Sequence, residues 1–336
     1  MDHFSPFREL ILVRRFDLET LPRLATISAA PLGLDGGYLM LTALKKIFGG
    51  KSNATARPRA SRVNIGKRFT LVAETGQGSM SRVYRAVDNE SGRTVCLKVQ
   101  IPEKTLAAAA RAEKVDRPDE GEIGMTIHLP NVVKTFEYGL STKSEHYVVM
   151  EFVDGPSLHF VRETRAAPRL EDKLELMAQA ADGLASFHEA GFIHHDVGPR
   201  NFLTTREGQV KLIDFGLAIP NTAVFRRPGN RTGTLNYMAP ELIRRETIDE
   251  RIDIFSFGVL AFEFLTDRLP YDSTNSMATM LARINSEPLD PVKANPFLPR
   301  EVHDLLRKLT ARRRDDRWPK MSTVGPALRK LEIRPH

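Results

Sequence analysis

The spacing of apolar residues changes along the chain and predicts a strand-rich part followed by a helix-rich part. Alternate residues from 69 to 73 are apolar, and residues 147–155 begin as an apolar strand that runs into a turn. From residue 170 to residue 190 the apolar positions are three and four apart, as on one face of a helix that ends at Gly191. The almost unbroken apolar run 255–265 predicts a buried helix.

Three oxygen-bearing side chains are spaced around a short predicted hairpin. Asp196 and Asn201 lie on one loop, and Asp214 follows thirteen residues after the asparagine. The segments 202–204 and 210–213 alternate as two short strands, which would bring the three side chains to one edge. Oxygen ligands of this kind suit Mg²⁺, which completes its shell with water and phosphate oxygens, and one carboxylate remains to receive a proton. This equipment is suited to phosphoryl transfer.

Two further segments indicate a nucleotide site. Gly76 and Gly78 follow the first predicted strand, and a glycine lets backbone amides approach phosphate oxygens where a Cβ atom would collide. About twenty residues later, 95–98 predicts a strand that carries Lys98.

The order and spacing of these segments resemble the motifs of eukaryotic-like Ser/Thr protein kinases of the bacterial type. The similarity extends over residues 68–331. The matching segments are Thr75–Val83 for the glycine-rich loop, Val95–Lys98 for V-A-I-K, His128–Val133 for the turn after the C helix, His194–Asn201 for the catalytic loop, Asp214–Gly216 for D-F-G, Gly233–Glu241 for the end of the activation segment and Asp253–Gly258 for the F helix.

The resemblance implies an α+β, bilobal protein kinase-like fold. The N-lobe would be an antiparallel β-sheet with a C helix, and the C-lobe would be mainly α-helical. We expect a basic leader and linker at 1–66 and the kinase domain at 67–331. Within the domain the N-lobe would span 67–150, the hinge 151–155 and the C-lobe 156–331.

The resemblance also implies how ATP would be held. Lys98 would contact the α- and β-phosphates and pair with a C-helix glutamate. The spacing to Pro130 favours Glu120, and Glu122 is the alternative. The other implied nucleotide-binding residues are Gly76, Gln77, Gly78, Ser79, Val83, Cys96, Met150, Glu151, Val153 and Leu203.

The catalytic and metal-binding residues follow from the same resemblance. Asp196 would orient the substrate hydroxyl and accept its proton. Asn201 and Asp214 would bind Mg²⁺, with Mn²⁺ as an alternative. The similarity further pairs Thr234 with the catalytic aspartate. It also implies that Glu241 pairs with Arg317 and that Asp253 fixes the position of the catalytic loop.

Two positions of the catalytic loop differ from the family pattern. His195 stands where an arginine usually receives an activation-loop phosphate, so we expect activity that does not strictly require such phosphorylation. Gly198 stands where a lysine neutralises the γ-phosphate, and Arg200 is the candidate for the missing charge. An alternative role for Arg200 is to hold the loop through backbone contacts.

The C helix is predicted to be weak. Gly121 and Gly124 each cost about 0.8–1 kcal/mol relative to alanine in a helix interior. We therefore expect a C helix that is mobile, or ordered only by nucleotide or a partner.

Composition limits the remaining function classes. The formal net charge is +7, and residues 1–66, with ten Lys or Arg and five Asp or Glu, carry +5 of it. A basic excess in a leader, without interleaved aromatic residues or zinc spacing, argues against nucleic-acid binding. One cysteine fits a reducing compartment, no apolar run has the length of a membrane span, and we expect a cytoplasmic protein.

The leader shows no sustained hydrophobic period. Translation could begin at Met40, the first 39 residues could be a real disordered leader, or 40–48 could form a weak amphipathic membrane tether. Residues 49–62 lack acidic and large apolar anchors and predict a flexible linker.

The sequence therefore predicts an ATP- and Mg²⁺-dependent protein kinase that phosphorylates Ser/Thr hydroxyls of proteins, its own included. One alternative is a pseudokinase, a nucleotide-gated binding module with little turnover, which Gly198 and the glycine-rich C helix favour. Another is a small-molecule kinase, against which the Ala-Pro-Glu segment argues. Protein substrate, upstream signal and oligomeric state do not follow from the sequence.

Overall fold

The computed structural model describes residues 62–331, apart from 78–80, 103–116, 230–231, 273–275, 277, 279 and 282–283. The expectations for the leader up to residue 61, including a start at Met40, lie outside the described residues.

An antiparallel five-stranded sheet forms the N-terminal lobe, as predicted. Its strand order is β1-β2-β3-β5-β4. Alternating apolar and β-branched residues favour this pleated, half-buried arrangement. The strands are β1 (Phe69–Gln77), β2 (Ser81–Asp88), β3 (Thr94–Gln100), β4 (Thr135–Leu140) and β5 (His146–Glu151).

The two faces of this sheet have different neighbours. Directly paired residues share a face, and the register pairs Val83 with Lys98 and Cys96 with Met150. Met150 belongs to the main hydrophobic core, which continues into the C-terminal lobe. The opposite face closes a smaller core of its own, formed by Phe69, Ala86, Val95, Leu97, Tyr147 and Val149.

A short segment before the sheet also belongs to this lobe. The backbone of Val63 pairs with that of Ser141, and its N–H donates to the Leu140 carbonyl at 3.1 Å. Helix α1 (Ile65–Arg68) follows, and Val63 and Ile65 pack against the smaller core. The predicted domain boundary at residue 67 therefore falls inside a helix.

Helix α2 (Glu120–Thr126) occupies the position expected for the C helix. It begins with a capping box in which Asp119 and Glu122 satisfy each other's backbone N–H groups. The following segment is tied to the C-terminal lobe, because Asn131 Nδ2 donates to the Val210 carbonyl at 2.8 Å.

Helices dominate the C-terminal lobe, as predicted. The long amphipathic helix expected at 170–190 is α4. Near the end of the lobe lie a helix over Arg300–Leu309 and, after a 3₁₀ turn, a helix over Val324–Arg329; five of the residues 275–285 lie outside the described part of the chain. The helices are α3 (Leu158–Glu163), α4 (Leu170–Glu189), α5 (Pro240–Ile243), α6 (Arg251–Thr266), α7 (Pro291–Ala294), α8 (Arg300–Leu309) and α9 (Val324–Arg329), with 3₁₀ turns at Leu235–Tyr237, Arg314–Asp316 and Met321–Thr323.

Short strands frame the catalytic loop. The predicted hairpin forms with Phe202 paired to Leu212 and Thr204 to Val210. The short strands are β6 (Phe192–Ile193), β7 (Phe202–Thr204), β8 (Val210–Leu212) and β9 (Ile219–Pro220).

Helix α6 is the centre of the C-terminal lobe. Every residue from Ile252 to Thr266 is buried, which agrees with a helix that is apolar almost all round. At Gly258 an added Cβ would lie 2.7 Å from the Leu309 Cβ, so this glycine permits the close packing of α6 against α8. Over the described residues, no helix combines the length and apolarity that crossing a bilayer requires.

Candidate active site

The catalytic loop is held from below by one buried carboxylate. Asp253, in the first turn of α6, accepts the backbone N–H of His194 at 2.7 Å and that of His195 at 2.9 Å. Its Oδ2 also lies 2.9 Å from Nε2 of His188. Burial by itself would raise the pKa of Asp253, but the bond to His188 and the other donors outweigh burial and lower it. The aspartate therefore remains charged and fixes the start of the loop.

Asp196 is oriented on both carboxylate oxygens. Thr234 donates to Oδ1 through its backbone N–H and its hydroxyl, each at 2.8 Å. Asn201 Nδ2 donates to Oδ2 at 3.1 Å and to the Asp196 carbonyl at 2.7 Å. The catalytic loop and the activation segment thus meet at this one carboxylate.

Lys98 lies between two carboxylates. Its Nζ is 2.7 Å from Glu120 Oε1 and 2.7 Å from Asp214 Oδ1. Burial lowers the pKa of Lys98, but both carboxylates more than offset that and raise it, so the amine stays charged. Of the two candidate glutamates, Glu120 is buried and faces the lysine, while Glu122 caps its own helix.

The Asp214-Phe215-Gly216 turn is packed towards helix α2. The φ of Asp214 is +63°, and its Oδ1 also accepts the Gly216 N–H at 3.2 Å. The buried Phe215 ring lies 5.1 Å from that of Phe187. Arg117, just before the helix, donates to the Gly216 carbonyl. Burial opposes the charge of Asp214, but Lys98 prevails and lowers the pKa of this carboxylate.

The donor set fits a divalent cation such as Mg²⁺. Because Nδ2 of Asn201 donates to Asp196, its carbonyl oxygen is the atom that can face a cation. Asp214 carries a charged carboxylate whose side chain is 45% exposed, so it is accessible from the cleft. Hard oxygen ligands of this kind, few in number, are what Mg²⁺ takes beside phosphate oxygens.

The inner face of the sheet suits an adenine ring. Val83, Cys96 and Met150 share that face with Lys98 by register, and Leu203 is half-buried on β7. Burial raises the pKa of the Cys96 thiol to about 11, as for an inert apolar filler.

The hinge is fixed at its first residue. The Glu151 N–H donates to the Lys134 carbonyl at 2.9 Å. The backbone N–H of Glu151 is therefore already used, and its carbonyl oxygen is the backbone atom that could accept a hydrogen bond from a nucleotide. Its side chain is 3.0 Å from Lys211 Nζ. Val153, two residues on, packs partly buried against the main core.

The predicted glycine-rich loop is described only at its two stems. Gly76 and Gln77 pair with Val83 and Arg82. Gly78 and Ser79 lie outside the described residues.

Arg200 is exposed and lies four residues after Asp196 on the same loop. One guanidinium nitrogen lies 3.3 Å from Nε2 of His159. At the neighbouring Gly198 an added Cβ would be 3.5 Å from the Tyr237 ring, an ordinary van der Waals contact. The loop therefore has room for a Cβ atom at the position where the family carries a lysine.

Two contacts anchor the activation segment, of which the resemblance implied the first. Arg317 binds Glu241 bidentately at 2.6 and 2.8 Å, and both residues are buried. Nδ1 of His195, the residue that replaces the usual arginine, lies 2.9 Å from the hydroxyl of Thr232.

Sequence reasoning missed one buried polar cluster beneath the activation segment. Tyr237 donates to Glu263 at 2.6 Å, and Arg162 lies 3.2 Å from the same carboxylate. Burial and the neighbouring Glu263 raise the pKa of Tyr237, so the phenol stays protonated. The available signal was a glutamate inside the otherwise apolar run of α6, which requires a buried partner.

Comparison with known proteins identifies the family. The model of the protein kinase domain matches residues 69–325. The chain belongs to the protein kinase family. Its predicted bilobal fold and its resemblance to bacterial Ser/Thr kinases are thereby confirmed.

Named bacterial relatives of this kinase are similar over three quarters of the chain. A serine/threonine-protein kinase drp72 of Corynebacterium efficiens is 34% identical over 251 residues, which are 73% of this chain and 46% of the relative. A probable serine/threonine-protein kinase pknA2 of Bifidobacterium longum is 31% identical over 253 residues, 74% and 33% of the two chains. PrkC of Bacillus subtilis is 27% identical over 250 residues, 74% and 38%. The chain thus spans between a third and a half of the length of these relatives.

Proposed function

We propose that this kinase domain transfers the γ-phosphoryl group of Mg-ATP to Ser/Thr hydroxyls of proteins, including its own. The observation that carries the proposal is the charged Lys98 held at 2.7 Å between Glu120 and Asp214. Lys98 and Glu120 belong to the N-terminal lobe and Asp214 to the C-terminal lobe. Their contact therefore joins the two lobes at the place where the phosphates would bind. The family generally uses ATP and Mg²⁺.

Each residue has a defined task in this proposal. Asp196, oriented by Thr234 and Asn201, receives the hydrogen bond of the substrate hydroxyl and accepts its proton. Lys98 holds the α- and β-phosphates. Asn201 and Asp214 hold the metal, which when bound would neutralise charge developing on the phosphate oxygens.

Positioning and charge neutralisation supply most of the rate enhancement in this chemistry. Arg200 therefore replaces the lysine missing at Gly198. It projects from the same loop as Asp196 and is exposed, with His159 beside it.

The preference for Ser/Thr rests on the activation segment. Thr234 contacts Asp196, and Glu241 is anchored by Arg317, as expected for the peptide shelf of a Ser/Thr kinase. The names of the relatives agree with this preference. A cytoplasmic location, where ATP is available, and Mn²⁺ as an alternative metal are part of the proposal.

The test is phosphorylation with labelled ATP and Mg²⁺, followed by phosphoamino-acid analysis. We expect label on Ser/Thr, a loss of at least about 100-fold in Asp196→Asn and a similar loss in Lys98→Met. Arg200→Ala should lose activity, whereas Arg300→Ala, which removes an exposed arginine from α8, should not.

Two results would overturn the proposal. Label on tyrosine alone would remove the Ser/Thr assignment. No label, together with metal-dependent stabilisation by ATP, would favour the pseudokinase alternative.

A further inference from the structure

Two glycines of helix α2 lie against strand β4 at a distance that excludes any side chain. A Cβ added to Gly121 would be 2.3 Å from the Tyr138 Cβ and 2.4 Å from its Cγ. A Cβ added to Gly124 would be 2.1 Å from the Thr135 hydroxyl oxygen and 3.0 Å from its Cβ. Gly121 and Gly124 are three residues apart and form one side of the helix, here called the glycine face.

The atoms facing these glycines cannot easily move away. The Cβ atom of Tyr138 is fixed by the backbone of β4, and its Cγ atom can move only by rotation about χ1. Thr135 is 2% exposed, and within the described part of the chain its hydroxyl has no hydrogen-bond partner that would explain a polar residue there. An added methyl group would therefore displace the helix rather than the strand.

The same short helix carries the partner of Lys98. Glu120 immediately precedes the first glycine, and Ile123 lies in the main core on another side of the helix. Gly124 also lies close to Phe215, since its added Cβ would be 3.5 Å from that ring. Restoring normal carbon–carbon contacts of about 3.5 Å at β4 would shift the helix by about 1 Å, and Glu120 would move with it.

We propose that Gly121 and Gly124 are positioning residues for phosphoryl transfer: they set the depth at which helix α2 packs on β4 and so place Glu120 on Lys98. This inference rests on the proposed kinase function for its kinetic consequence, but its geometric part stands without it. It also reverses the meaning of the two glycines, which helix propensity alone treats as weak points.

The two interpretations predict opposite signs. If the glycines only weaken the helix, Gly→Ala should stabilise it and leave activity equal or higher. If the glycine face sets the position of Glu120, Gly121→Ala and Gly124→Ala should lower kcat, because a misplacement of about 1 Å can cost about 100-fold. We expect a fall of about 10- to 100-fold in kcat, with a smaller change in KM for ATP.

A rescue variant separates positioning from general damage. Thr135→Ala removes the oxygen that is 2.1 Å from the added methyl group and leaves the Cβ at 3.0 Å, so Gly124→Ala/Thr135→Ala should have a kcat at least about threefold above that of Gly124→Ala. Thr135→Ala alone should stay near the wild-type rate. Gly66→Ala is the matched control, because that helical glycine has only Asn64 Oδ1, at 3.7 Å, near an added Cβ.

A second measurement does not depend on activity. The coupling between Lys98 and Glu120 is obtained from unfolding free energies of Lys98→Met, Glu120→Gln and the double variant, first in wild type and then with Gly121→Ala. We expect the coupling to fall to near zero in the Gly121→Ala background. A wild-type protein without kinase activity would refute the proposed function, and this cycle would still decide the inference.

Unchanged or higher kcat in both alanine variants, or an unchanged Lys98–Glu120 coupling, would overturn the inference. Failure of Thr135→Ala to rescue Gly124→Ala in a folded double variant would also count against it. If Gly121→Ala does not fold, the Gly124 pair and its rescue supply the answer.

Discussion

His195 shows how a single residue changes the way the activation segment is held. Its Nδ1 lies 2.9 Å from the Thr232 hydroxyl. At the same position the family pattern has an arginine that binds a phosphate of the activation loop. Residues 223–231 of the segment contain no serine, threonine or tyrosine, and the candidate phosphorylation sites are the flanking Thr222, Thr232 and Thr234. A hydrogen bond between neutral groups thus holds the segment without added charge, which supports the prediction that phosphorylation is not strictly required.

The protonation of His195 should affect stability below neutral pH. Burial, together with Arg117 and His194, lowers the pKa of His195, while Asp253 and Asp196 oppose this shift. The unfolded chain, with an ordinary histidine pKa of about 6.5, then binds a proton more readily than the folded protein. The stabilisation is complete above that pH and is lost as pH falls towards the folded pKa.

Urea unfolding between pH 7.5 and about 5 checks this. The unfolding free energy of the wild type should decrease more steeply towards acid than that of His195→Asn. The exposed His128→Asn serves as the control and should follow the wild type. Parallel curves for wild type and His195→Asn would show that His195 does not contribute.

Gly198 offers a direct test of charge replacement. Its φ is outside the left-handed region, and an added Cβ meets the Tyr237 ring at an ordinary 3.5 Å. If Arg200 replaces the missing lysine, Arg200→Ala should lose about 100-fold in kcat/KM, and Gly198→Lys should restore much of it. Gly198→Met, of similar length but uncharged, should not. Equal values for the lysine and methionine variants would indicate that charge at this position is unimportant.

At the scale of elements, the segment between α2 and β4 links the two lobes. The Leu212 N–H donates to the Asn131 carbonyl at 2.8 Å, and the Val133 N–H donates to the Leu212 carbonyl at 2.9 Å. The segment also crosses α4 at Gly183, where an added Cβ would be 2.5 Å from the Asn131 carbonyl oxygen. The position of α2 is therefore set from the C-terminal lobe as well as from β4.

Gly183→Ala should destabilise the protein although alanine is the better helix former. The new methyl group must displace a hydrogen-bonded backbone carbonyl, and overpacking of this kind costs about 1–3 kcal/mol. Denaturant unfolding measures the change, with Gly66→Ala as a helical glycine that has room. An increase in the unfolding free energy of Gly183→Ala would contradict the observed packing.

At the scale of the whole molecule, the described residues form two cores, one on each face of the N-terminal sheet. The smaller core extends to residues before the family match, which begins at Phe69. Arg68 binds Glu137 bidentately at 2.7 and 2.8 Å and also lies 3.3 Å from Asp88. The segment 62–68 therefore closes the open side of this core.

A chain that begins at residue 69 should be less stable than one that begins at residue 62. It loses the half-buried Val63 and Ile65 and the Arg68 ion pairs, worth together about 2–4 kcal/mol. Urea unfolding of the two chains measures the difference. Equal midpoints would mean that the predicted boundary at 67 is as good as one at 62.

Much of the fold followed from the sequence because the deciding signals are local. The period of three and four residues predicted the α4 helix to within one residue, and alternation around a turn predicted the β7–β8 hairpin. The buried character of α6 followed from its composition. The order and spacing of the motifs were sufficient to indicate the kinase family, because each motif is a contiguous stretch of the chain.

The candidate site was predictable where its residues lie close together in sequence or share a motif. The contact of Asn201 with Asp196 spans five residues of one loop. The choice between Glu120 and Glu122 was harder, because both lie in the first turn of α2 and only the spacing to Pro130 favoured Glu120, which is the residue that faces Lys98.

What the sequence determined, then, is the type and order of the elements and the chemical groups available to them, because these depend on neighbours along the chain. The tertiary structure alone decided which groups meet through space. Helix propensity alone marks the two glycines of α2 as destabilising, but their close contact with strand β4 gives them a packing role. Helix packing brought Glu263 to Tyr237 and Arg162, and the activation segment brought Thr232 to His195. The partners of Glu263 and of His195 lie 26 to 101 positions away in the sequence, so no local pattern could predict these contacts.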